Sequence, residues 1–69
     1  MISAKPLFGY IAYHGITRKE LSEKTGISMA VITKMYRRNE FTLRTVDRIC
    51  TCLNLEIKDV LRYEEVQDI

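Results

Sequence analysis

One pattern recurs four times in these 69 residues. An apolar residue stands just before a side chain able to cap a helix, and a second apolar residue follows five positions after the first. Ile16, Thr17 and Leu21 form the first set, and Ile27, Ser28 and Ile32 the second. Phe41, Thr42 and Val46 form the third, and Leu55, Glu56 and Val60 the fourth, with Glu56 the poorest cap. The capping side chain accepts a first-turn amide that has no partner inside the helix, and the two apolar residues close beside it as a staple. Four sets in register constrain the chain to helices that start near residues 18, 29, 43 and 57. Glu20, three residues after Thr17, completes a capping box at the first of them.

The remaining punctuation fills in the rest. Pro6 suits the first turn of a helix that carries Leu7, Phe8, Ile11 and Ala12. His14-Gly15 ends it, with Gly as a left-handed cap and His at the negative end of the helix dipole, which makes His14 a capping-region residue and no catalyst. Val46, Ile49, Cys50 and Leu53 fall at i, i+3, i+4 and i+7, a core stripe. Ile57, Val60 and Leu61 close the bundle. The predicted helices run over residues 6–14, 18–25, 29–37, 43–53 and 57–63, and no strand is expected. The fold class is therefore all-α: one compact five-helix domain over residues 1–69, with an acidic tail at 64–69 that frays.

Composition excludes several functions. No apolar run approaches the ~20 residues of a membrane span, and Met1 to Pro6 holds neither an apolar signal core nor a cleavage site. A cytoplasmic protein is expected. Cys50 and Cys52 lie two apart on a helix and point to nearly opposite sides, so they cannot bond to each other. With the only His far away at His14, no metal site is expected, and the cysteines read as reduced: Cys50 a small core residue, Cys52 semi-buried. No nucleophile elbow, phosphate-cradling Gly loop or carboxylate pair is present, so no enzyme and no cofactor are expected. The net charge of +2 is unevenly spread. Residues 1–40 carry seven basic and three acidic groups, a net of +4, and residues 41–69 carry four basic and six acidic groups, a net of −2. A polyanion on one side only fits that split.

Helix two ends at Gly26, and Ser28 caps helix three two residues later, a tight helix-turn-helix over about residues 18–37. At 100° per residue from Met29, Val31, Ile32 and Met35 occupy an arc of roughly 200–300°, the buried side. Met29, Thr33, Arg37, Ala30 and Lys34 occupy roughly 0–140°, the outward side. Lys34 can donate to guanine O6 and N7, Thr33 can bond or touch a thymine methyl, and Met29 and Ala30 can make apolar contact with thymine. An ordinary solvated helix face could carry the same residues; the tight turn favours the major groove. Phosphate contacts are expected from Thr17, Arg18, Ser28 and Thr42 at helix starts, and from Arg37, Arg38 and Asn39 after helix three. Lys5, Lys19 and Lys24 read as surface charges.

The run Arg18 to Arg37, RKELSEKTGISMAVITKMYR, resembles the helix-turn-helix of phage Cro/repressor-type (xenobiotic-response-element) DNA-binding proteins. Leu21, small Ser22, Thr25, Gly26, Ile27, Ile32 and Met35 carry the match, and the flanking helices extend it over roughly residues 5–63. The Gln residues common at the starts of helices two and three in the best-known members are missing, which bears on operator preference and not on fold. The resemblance implies a repressor-like bundle that binds double-stranded DNA in a sequence-specific way and regulates transcription. With no effector domain in view, no small-molecule ligand is expected, and repression by operator occlusion follows. A homodimer is expected as well, with Tyr63, Val66 and Ile69, spaced by three, as candidate contacts. The alternative is a protein-interaction module, such as an antitoxin-like partner protein that uses helix five and the tail; the basic stripe of Lys34, Arg37 and Arg38 counts against it.

Overall fold

A computed structural model describes residues 1–65. A strand, β1 (Ile2–Ser3), is followed by α1 (Lys5–Tyr13), α2 (Arg18–Thr25), α3 (Met29–Arg38), α4 (Leu43–Leu53) and α5 (Ile57–Val60), and the described chain closes with β2 (Arg62–Tyr63). The caps behave as the staple pattern requires. Thr17 Oγ1 accepts the Glu20 amide at 3.0 Å, Ser28 Oγ the Val31 amide at 3.3 Å, and Thr42 Oγ1 the Thr45 amide at 3.2 Å. Glu20 returns the box to the Thr17 amide at 3.2 Å. At α5 the bond runs backwards, from the Glu56 amide to Asp59 Oδ2 at 3.0 Å. The second apolar residue of each staple sits in the core: Leu21, Ile32 and Val60 are fully buried and Val46 is 2% exposed. Each staple therefore sets a helix entry and places a core side chain at once.

Around those four residues pack Leu7 and Ile11 of α1, Met35 of α3 and Ile49 of α4, with Ala4 and Ile27 completing the cluster. Helix α2 packs on α3 and α4, while α5 bridges α1 and α4. Among the described residues no helix is long and apolar enough to cross a membrane. His14 caps α1, Gly15 takes the left-handed conformation at φ 67°, and the His14 ring packs against Tyr10 with centroids 4.3 Å apart.

Helix five and the strands differ from expectation. The predicted helix over 57–63 is a single turn that stops at Val60, and Leu61 is already extended at φ −123°, ψ 151°. Arg62 and Tyr63 then pair antiparallel with Ser3 and Ile2, so a two-stranded ribbon joins the two ends of the described chain. Two-residue strands are too short for any alternating pattern, and the apolar residues near 57–61 read equally well as helix. The predicted tail also does structural work at its start. Glu64 pairs with Lys5 at 3.5 Å and Arg62 at 3.3 Å, and its carbonyl accepts from the N-terminal ammonium. A hydrogen bond from the Ser3 side chain, then the charges of Lys5 and Arg62, outweigh burial and hold the Glu64 carboxyl below the usual carboxylate range. The contribution of these contacts is present above the ordinary carboxylate pKa and fades as pH falls through the lowered one. Val66 and Ile69 lie outside the described residues.

The cysteines are less buried than expected, Cys50 half-buried and Cys52 exposed, because the α4 core stripe is narrower than its apolar pattern and is filled by Val46 and Ile49. Both thiols are free. Burial, then the carboxylates of Asp47 and Asp59, push the Cys50 thiol up, which keeps it protonated and unreactive.

Asn39 connects the ribbon to the helices. It ends α3 in the left-handed conformation at φ 55°, which Asn tolerates better than other non-glycine residues. Its amide nitrogen donates to the Ile2 carbonyl at 2.7 Å, and its amide oxygen accepts the Ala4 amide at 2.9 Å. One side chain thus serves β1 as a neighbouring strand would. Asn39→Gly isolates that contribution, since Gly fits φ 55° at least as well but has no amide. With two hydrogen bonds lost at roughly 0.5–1.5 kcal/mol each, thermal unfolding of Asn39→Gly is expected several degrees below wild type. A melting temperature equal to or above that of wild type would show that the clamp adds nothing.

Candidate nucleic-acid interface

The turn between α2 and α3 is built so that no buried polar group lacks a partner. Gly26 is left-handed at φ 72°, and its amide donates to the Ser22 carbonyl at 2.8 Å. Ile27, which follows, is buried, and both of its backbone groups are answered by hydroxyls of α2. Ser22 Oγ donates to the Ile27 carbonyl at 2.5 Å, and Thr25 Oγ1 accepts the Ile27 amide at 3.3 Å while donating to the Leu21 carbonyl at 2.7 Å. Arg48 of α4 reaches across and donates from Nε to the Thr25 carbonyl. A Cβ on Gly26 would lie 3.1 Å from Arg48 Nη2, on top of the cost of a left-handed backbone for any other residue. Backbone and neighbour both favour glycine at this position.

With its start fixed, α3 presents two sides. Ile32 and Met35 are buried and Val31 is half-buried, while Met29 is 42% exposed and Ala30, Lys34, Arg37 and Arg38 are exposed. Thr33 is only half-buried, at the boundary between the two sides. Of the candidates for base contact, Met29, Ala30 and Lys34 are therefore open to solvent and Thr33 partly so. Among the candidates for phosphate contact, Arg18, Arg37 and Arg38 are exposed. The hydroxyls of Thr17, Ser28 and Thr42 are already accepting within their own helices, and Thr42 Oγ1 also meets Thr45 Oγ1 at 3.1 Å. What those helix starts can offer an anion is the amides of the first turn ahead of the capped one and the O–H that a capping hydroxyl keeps while it accepts. Asn39 spends its amide oxygen and one N–H on β1, which leaves its second N–H as what the side chain could offer a phosphate.

Every ion pair among the described residues involves Lys5, Lys58 or Arg62 with Glu56 or Glu64. Arg18, Lys34, Arg37 and Arg38 have no acidic partner there. The cations on the α2–α3 side are left unneutralised.

Two side chains that shape this surface carry no obvious sequence signature. Arg48 reads as a solvated residue of α4, yet it secures the turn. Tyr36 falls about 20° from Met29 around the helix, at the edge of the outward stripe, and is 53% exposed. The Arg18 guanidinium lies over its ring at 4.3 Å, and the ring meets Phe8 edge-on at 5.0 Å.

A family model, the Cro/C1-type HTH DNA-binding domain, matches residues 9–65. The chain belongs to this helix-turn-helix family. No curated protein and no solved structure matches it. As a Cro/C1-type domain the protein is a regulator that binds double-stranded DNA, a non-enzymatic type of protein, and α2 and α3 are its helix-turn-helix. The match spans the hydroxyl-knit turn, all of α2, α3, α4 and α5, and the second half of α1.

Proposed function

We propose that this Cro/C1-type domain represses transcription by occupying operator DNA with α3 in the major groove. The observation that carries the proposal is the set of exposed cations at the start of α2 and along α3, Arg18, Lys34, Arg37 and Arg38, none of them in an ion pair among the described residues. In this arrangement Lys34 donates to guanine, Met29 and Ala30 contact thymine methyl groups, and Thr33 reaches a base edge with its methyl or hydroxyl. Arg18, Arg37 and Arg38, with the first-turn amides that follow Thr17, Ser28 and Thr42, hold the phosphates and fix the register. Bound there, the protein excludes other proteins from the same stretch of duplex. No further activity is needed for repression.

Selection of random duplexes followed by binding at several salt concentrations tests the assignment of roles. Counterion release predicts a log–log salt slope of about −0.9 for each phosphate neutralised. Lys34→Ala should cost about 1–3 kcal/mol and relax preference at one base pair, whereas Arg38→Ala should weaken all sequences equally and flatten the slope by about 1. A slope near zero in the wild type contradicts the proposal, and an unchanged preference in Lys34→Ala contradicts the placement of α3.

The same proposal includes a symmetric dimer on an inverted repeat, since one recognition helix reads too few base pairs to single out a site among a genome's competitors. Half-sites would then lie about one helical turn apart. Tyr63, 75% exposed, is paired across the ribbon with Ile2, 56% exposed, which supports Tyr63 as a contact at the two-fold axis alongside Val66 and Ile69. Light scattering on selected duplexes is expected to give two chains per site. One chain per duplex on sites without palindromy rules the dimer out.

A further inference from the structure

We infer that Tyr36 is a positioning residue for DNA binding, holding the Arg18 guanidinium at the edge of the recognition stripe so that it meets a backbone phosphate already oriented. The inference rests on the α2–α3 side being the one that meets DNA.

Three elements build the arrangement. Phe8 of α1 packs against the core, the Tyr36 ring of α3 meets it edge-on at 69°, and Arg18 of α2 lies over the Tyr36 ring at 4.3 Å. An aromatic face attracts a guanidinium through its quadrupole and leaves the N–H groups free to donate elsewhere. The Arg18 side chain makes no hydrogen bond and no ion pair among the described residues. Its neighbours one turn on, Leu21 and Ser22, carry no acid. The ring is therefore what fixes the cation, and it does so without neutralising it.

Burial does not account for Tyr36. Ile32 and Met35 fill the core side of α3, whereas Tyr36 is 53% exposed. Open grooves flank it on both sides, one of about 480 Å³ beside Met35 and Arg37 and one of about 360 Å³ beside Ile16 and Thr17. The Phe8–Tyr36 pair stands as the ridge between them, so neighbouring side chains do not force the ring onto Arg18. A long flexible cation loses rotamer freedom when it grips a phosphate, and one held on a ring has lost part of it beforehand.

Binding to one generic duplex by wild type, Tyr36→Phe, Tyr36→Leu, Arg18→Ala and Tyr36→Leu/Arg18→Ala, each shown to be folded by circular dichroism, provides the test. Tyr36→Phe keeps the ring face and is expected to bind as wild type does. Tyr36→Leu is expected to bind about two- to fivefold more weakly, and to have no further effect once Arg18 is Ala. A purely structural Tyr36 would lower the melting temperature while leaving the affinity of the folded protein intact, or would add independently to Arg18→Ala; either result overturns the inference. Should Tyr36→Leu not fold, the wild-type proton spectrum decides: a stacked Arg18 shows upfield ring-current shifts of its δ and ε protons, and shifts at random-coil values overturn it. A wild type that ignores duplex at low salt overturns the DNA-binding assignment and this inference together. Normal wild-type binding with an indifferent Tyr36→Leu overturns this inference alone.

Discussion

A buried peptide at Ile27 governs the rest of the molecule. Two helices meeting at a three-residue turn must bury backbone groups that have no helical partner, and an unanswered amide or carbonyl there costs on the order of 1–3 kcal/mol. Ser22 and Thr25 answer both groups of Ile27 from α2, and Arg48 answers the Thr25 carbonyl from α4. The direction in which α3 leaves α2 is thereby fixed by hydrogen bonds and not by packing alone. Once it is fixed, Ser28 caps α3, Ile32 enters the core, and Met29, Ala30 and Lys34 are left facing solvent. The recognition surface follows from how the turn satisfies its own backbone.

Charge is distributed with the same economy. The ion pairs of the described residues gather at the ribbon and α5, around Glu56 and Glu64. Exposed pairs of this kind contribute little to stability. They occupy Glu56 and Glu64 with local bases, away from the cations of α2 and α3. A polyanion approaching the α2–α3 side meets unpaired guanidinium and ammonium groups, and association there is steered by a field that salt screens.

Much of this was legible in the sequence because caps and staples are local. Thr17, Ser28 and Thr42 act within three residues, and the apolar partners at Leu21, Ile32, Val46 and Val60 face inward for the same geometric reason at each site. The errors arise where the deciding partner is distant. Helix α5 stops at Val60 because Arg62 and Tyr63 pair with a strand some sixty residues earlier, and nothing in the 57–63 segment announces it. Asn39 sits in a basic run that suggests phosphate binding, and nothing near it in sequence announces that its amide also bonds Ile2 and Ala4. Arg48 and Tyr36 are exposed residues whose contacts are with Thr25 and Arg18, each from another helix, so sequence spacing does not single them out. Cys50 matched the apolar spacing of α4, but spacing gives the direction of a side chain and not the depth of cover above it.

In the proposed mode of binding, the turn at Gly26 presents one continuous surface to DNA, made of the starts of α2 and α4 and the outward side of α3. Amide chemical-shift mapping of the labelled protein during titration with a selected duplex tests it most directly. The large shifts are expected on residues 17–19, 28–38 and 42–44, with α5 and β2 changing little except where two chains meet on the duplex. Large shifts centred on α5 and the inner face of the ribbon, with Lys34, Arg37 and Arg38 unmoved, would contradict it.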